Sequence, residues 1–162
     1  MEEIIYQGVA QKLNEAGSYL QDHNQPRVAH VDWWKNQVEE ALAATPEGNS
    51  GIAWPRPAVF VEFSPMQVEG NAVNRKGTGE VTLHVVQDAV GQGSEAGSGV
   101  QDDFVRQLQY LGKLLDWLDG ELVGECGARL NHTGQVRDHS NRPLMHERLT
   151  LRYTVRLQRS TP

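Results

Sequence analysis

A chain of 162 residues, 38% hydrophobic and 22% charged, has the composition of an ordinary globular protein. At ~100–200 residues per domain, this length predicts one domain over 1–162, large enough to build a core without covalent staples. Its 15 basic and 21 acidic residues give a net charge of −6, which argues against whole-surface binding to nucleic acid and leaves room for a local basic strip. The single cysteine, Cys126, excludes an internal disulfide framework and a cysteine-rich zinc site. No apolar run reaches the ~18 residues of a membrane-crossing helix, so no membrane association is expected. The N-terminus, MEEIIYQGVAQKL, starts acidic where a secretory signal starts basic, which points to the cytosol.

Residues 2–20 read as an amphipathic helix. Ile4, Ile5, Val9 and Leu13 share one narrow face, and Glu2 and Glu3 sit in the first turn, where the helix dipole favours negative charge. A polar turn with Pro26 follows at 21–27. Residues 28–34, VAHVDWW, predict a short strand, 35–44 one or two helical turns, and 45–51 a loop. AVFVEF at 58–63 is apolar on both faces except at Glu62, which predicts a strand inside the sheet, ended by Pro65.

Residues 66–79 read as a polar connection. In EVTLHVVQDA, Val81, Leu83 and Val85 point one way while Glu80, Thr82 and His84 lie outside that row, the pattern of a half-buried strand. GQGSEAGSG at 91–99 predicts a flexible loop. Asp102 or Asp103 can cap a helix that ends near Gly120. Its stripe is Phe104, Leu108, Leu111, Leu115 and Leu118, widened by Val105, Leu114 and Trp117. Residues 128–136 predict a further strand, and 138–143 a turn. In HERLTLRYTVRLQ at 146–158, Leu149, Leu151, Tyr153, Val155 and Leu157 alternate strictly with Arg148, Thr150, Arg152, Thr154 and Arg156, which only a strand allows.

This order predicts an α+β two-layer sandwich. A mostly antiparallel sheet of about four strands would carry two amphipathic helices on one face and leave the other for solvent or a partner.

Few side chains suggest chemistry. His132, His139 and His146 recur every seven residues but span strand, turn and strand, and no HExxH or CxxC occurs, so they read as surface or turn histidines and no metal site is expected. Cys126 lies beside Glu125, which disfavours a reactive thiolate. The pairs Glu2/Glu3, Glu39/Glu40 and Asp102/Asp103 suit helix ends and surfaces better than acid–base work. No nucleophile elbow, Walker lysine or GxGxxG cradle is present, so neither catalysis nor a bound cofactor is expected. An enzyme built from scattered residues such as His84 and His132 is the weakest reading.

Arg148, Arg152 and Arg156 lie ~13 Å apart along one strand face, with Arg75 and Lys76 in a nearby loop. These five residues are the candidate subunit or partner interface, for an acidic neighbour or a DNA channel; the plainer reading is a solvated outer face. Trp33, Trp34 and Trp54 cluster before RPAVFVEF, as an interface or as cover over one end of the core.

The segments RPAVFVEFSP (56–65) and GEVTLHVVQDA (79–89), the helix at 102–119 and HERLTLRYTVRL (146–157) resemble, in their order, the lambda-like phage tail terminator and tail-completion family. WPRPAVFVEF is similar to a branch found in Bacteroidetes phages and prophages, and the 28–54 segment departs from the simplest members. The resemblance implies a non-enzymatic homo-oligomer, usually a hexameric ring, that caps the head-proximal end of the tail tube. Its partners would be the tail tube protein and a head-completion protein, with no sequence-specific nucleic acid but DNA passing through the ring lumen. It would assemble in the host cytoplasm and end in the virion tail. The alternatives are a head–tail connector and a small ligand-binding module.

Overall fold

The longest ladder in the computed structural model joins β4 (Arg75–Asp88) to β7 (Leu144–Leu157), antiparallel from Arg75 opposite Leu157 to Asp88 opposite Leu144. The structure describes residues 1–44, 52–71, 73–88, 99–137 and 144–157. Around this ladder the other strands complete a seven-stranded mixed sheet. On one side of β4 lies β2 (Ala58–Phe63), antiparallel to it, and then β1 (His30–Trp33), parallel to β2. On the far side of β7 lie β6 (Ala128–Arg137) and β5 (Leu122–Val123). The short β3 (Gln67–Gly70) forms a hairpin with the first residues of β4.

Among the described residues four helices accompany the sheet: α1 (Glu2–Glu15), α2 (Gly17–Asp22), α3 (Gln37–Ala44) and α4 (Gly99–Leu118). The main core joins Ile5, Val9 and Leu13 of α1, Leu20 of α2, and Tyr110, Leu111, Leu114 and Leu118 of α4 to the alternating Val59/Val61, Val81/Leu83/Val85 and Leu149/Leu151/Tyr153/Val155 of the three central strands. Strict alternation on β4 and β7 makes this face continuous, because period two sends every second side chain the same way.

The sheet curls into a half-barrel, and α1 lies between its margins. At one margin Tyr6 packs on Trp33 of β1, ring centroids 5.3 Å apart. At the other, Gly8 backs onto the turn after β5, and Lys12 reaches Glu121 at 2.7 Å. The indole of Trp117 on α4 donates to the Lys12 carbonyl and locks the two helices together.

This architecture overturns the expected two-layer sandwich of about four strands with two helices. Two strands lacked a readable signal: β3 is exposed along its whole length, and β5 has two residues. The short strand expected at 28–34 is β1, which joins its neighbour in parallel through a crossover containing α3. The supposed connection at 66–79 is the β3–β4 hairpin, so β4 starts at Arg75. The single N-terminal helix is two, divided at Ala16. On α4, Val105 is exposed and Tyr110 takes an inside position. The 45–51, 91–98 and 138–143 calls lie outside the described residues, as does His139.

The sheet face away from the main core is not left wholly to solvent. Val38 of α3, with Trp34, Ile52 and Trp54, covers Ala58, Phe60, Val86 and Leu144 in a second, smaller core.

Candidate functional site

The second face divides into a covered half and an open half, and both carry polar side chains. In the covered half, register sets Phe60 opposite His84 and Val86 opposite His146, which brings the two histidines to neighbouring strands. His84 Nε2 lies 2.7 Å from Glu62 Oε2, and His84 Nδ1 lies 2.8 Å from His146 Nε2. In its neutral form, His84 donates from Nε2 to the Glu62 carboxylate, and its Nδ1 then accepts the Nε2–H of His146.

Both rings are buried, while Glu62 is half exposed. Trp34 stacks flat on His84, with centroids 3.7 Å apart and planes 3° from parallel. The chain therefore runs from a wet carboxylate inward under an indole lid. A buried imidazole that lost its partner here would pay the desolvation cost of an unpaired polar group. The arrangement is linear, and among the described residues no group of three or more His, Cys, Asp or Glu converges as metal ligands do.

The sequence read His146 as a surface or turn histidine and put His84 outside the apolar row of its strand; the structure corrects both, since both are buried. The available signal was Glu62, the one polar residue in AVFVEF, beside a histidine on the outward row of the next strand. His132 is exposed, and its ring bonds the Gly134 carbonyl. Cys126 lies far along the chain at the β5–β6 turn, its thiol 3.9 Å from the Val123 carbonyl.

In the open half, strand alternation gathers Lys76, Glu80, Arg148, Arg152 and Arg156 on one face with Thr78, Thr82, Thr150 and Thr154. Of the five predicted interface residues, Arg75 falls out of the set, because an odd step along β4 turns it to the face of Gly77 and Gly79. Arg148 sits opposite His84 and is only half exposed. Arg152 sits opposite Glu80, with 3.6 Å between their charged atoms. Lys76 and Arg156 are exposed and directly opposite each other. Glu69 flanks Lys76 on its other side.

Like charges in direct cross-strand register cost a sheet stability. The basic strip is thus a real surface feature of an acidic chain, built around Lys76, Arg152 and Arg156. The three tryptophans serve the core. Trp33 stacks on Phe63, Trp34 on His84, and Trp54 packs edge-on to Phe60 while Arg56 lies over its ring.

No family model and no curated protein matches this chain. Among solved structures it is similar to a chain of the virion of a native gene transfer agent particle, with 15% sequence identity and a TM-score of 0.57. The likeness covers 96% of this chain and 97% of that one, so the two share a fold from end to end. No helix among the described residues is long and apolar enough to cross a membrane.

Proposed function

We propose that this chain is a structural subunit of a phage-type particle that caps the head-proximal end of the tail tube as a hexameric ring and forms part of the head–tail joint. The observation that carries the reading is the end-to-end fold likeness to a chain of a gene transfer agent virion, with neither chain leaving a domain unmatched. A ring of identical subunits needs two different patches on each copy. In the joint, the strip of Lys76, Arg152 and Arg156 is the surface for an acidic partner. The subunit acts by binding, not by catalysis, and ends in the virion tail after assembly in the host cytoplasm.

Native mass across a concentration series, followed by binding to purified tail tubes, tests this. A six-fold mass, or a ring formed on the tube end, supports the cap. A stable dimer that ignores tail tubes overturns it, and a ring that binds heads but not tubes moves the chain to the head–tail connectors.

A further inference from the structure

Two surface features outside the basic strip match each other. The first is the β3–β4 hairpin. Its strand β3 is exposed throughout, Val68 to 44%, and Val73, just before β4, is 83% exposed. Among the described residues of the turn, Asn71 Oδ1 accepts the backbone N–H of Val73 and of Asn74, and Gly70 adopts φ +101°, with no room for a Cβ against the Asn74 carbonyl. Arg75 and Lys76 follow directly. Exposed valines and cations thus share one hairpin whose turn carries its own hydrogen bonds, which lowers the ordering cost of binding.

The second is a groove of ≈ 610 Å³ between α1 and the β5–β6 turn. Ile4 and the 52%-exposed Leu122 supply its apolar surface. Glu15 and Glu125 line it, and Glu3 lies one residue from Ile4 on the same helix. The groove's lysine, Lys12, is already neutralised by Glu121 at 2.7 Å, so the lining is left with unbalanced carboxylates.

Strand order sets where the two features lie. The hairpin pairs with Arg75–Thr78 of β4, which face the last residues of β7. β5 pairs with Ala128 and Arg129 of β6, and Arg129 faces Thr154 of β7. Hairpin and groove are therefore at the same end of the sheet, on either side of the β4–β7 ladder. A head-to-tail contact between copies uses two different patches, and these two lie on opposite flanks.

We propose that the hairpin of one copy docks in the α1/β5–β6 groove of the next, with Val68 and Val73 on Ile4 and Leu122 and the Arg75 guanidinium on Glu15 and Glu125. The occupant is a second copy of this chain, because a basic, apolar projection and an acidic, apolar groove occur on the same molecule. The inference rests on the ring reading and names its interface.

The test is a Val73→Cys/Leu122→Cys double variant in a Cys126→Ser background, oxidised alone and with tail tubes, beside each single variant. A ladder of covalent multimers from the double variant alone is expected. No ladder under either condition overturns the contact. A second measurement guards against misfolding: Arg75→Glu is expected to lower the native mass to that of the monomer, and adding Glu125→Arg to restore it. Rings that survive Arg75→Glu and give no ladder overturn the hairpin contact and leave the ring. A ladder of open chains without closed rings supports the contact and removes the tail cap.

Discussion

Gly8 of α1 and Gly124 of the β5–β6 turn meet backbone to backbone: a Cβ built on Gly8 would stand 2.2 Å from the Gly124 nitrogen. Gly124 itself has φ +68°, and a Cβ there would press on the Ile4 carbonyl at 2.8 Å. Neither side of this contact is a flexible side-chain end that can move aside. Gly8→Ala should therefore destabilise the chain by ~1–3 kcal/mol, as overpacking does. Gly112→Ala on α4 is the control, because nothing lies within 4 Å of its Cβ. It should stabilise by ~0.5–1 kcal/mol, since glycine is a poor residue inside a helix. Urea unfolding of the two variants reads both signs in one experiment.

The Glu62–His84–His146 chain predicts unequal costs for two substitutions at one position. His84→Ala removes the stacking surface for Trp34 and the acceptor for His146, and should cost ~3 kcal/mol. His84→Phe keeps a flat ring under the indole and loses only the polar contacts, so it should cost less. Equal costs in urea unfolding would mean that the stacking contributes nothing.

The Tyr110 hydroxyl is buried with no hydrogen-bond partner among the described residues, and burial pushes its ionisation well above the usual 10.0. Tyr153, whose hydroxyl is likewise unpartnered, and Tyr6 are raised too, first by burial and then by nearby acidic groups. The raised value belongs to the folded state, so the unfolded chain ionises first. Stability is fully present below pH ~10 and falls as pH climbs from there toward the folded-state values. Tyr110→Phe should be neutral or stabilising by ~1 kcal/mol at pH 7, because it removes an unpaired buried hydroxyl. It should also flatten the alkaline fall, as measured by urea midpoints between pH 9 and 12.

Lys76 opposite Arg156 predicts a trade between folding and binding. Arg156→Glu converts a like-charge cross-strand pair into an opposite one and should raise stability by ~0.2–1 kcal/mol. If the basic strip meets an acidic partner, the same variant should lose binding to tail tubes. Higher stability with unchanged binding would return the strip to plain solvated surface.

How much of this was readable depends on how far apart the interacting residues lie. The alternation from Leu149 to Leu157 and the stripe through Leu111, Leu114 and Leu118 are local patterns, and the structure keeps them. The β3–β4 hairpin was hidden because Gly77 and Gly79 interrupt any apolar row at the start of β4. At Gly79 the Tyr153 side chain lies across the backbone, its hydroxyl 2.4 Å and its nearest ring carbon 2.6 Å from where a Cβ would be, which one strand read alone cannot show. Glu62 beside His84 left a trace in the sequence, but the pairing with His146 did not: 62 residues separate the two histidines, and only the β4–β7 register makes them neighbours. The basic row was legible along β7, but which of Arg75 and Lys76 joins it depends on where β4 begins.

The seat of α1 has a consequence for the order of biosynthesis. Lys12 finds Glu121 across 109 residues of chain, and its carbonyl finds the Trp117 indole across 105. The β1 margin, with Trp33 against Tyr6, is thus within early reach of α1, whereas its other margin waits until α4 and the β5–β6 turn have been translated. During that interval the core around Ile5, Val9 and Leu13 is closed on one side and open on the other, a target for chaperones that hold apolar surface. A chain halted before residue 117 would lack the second side altogether.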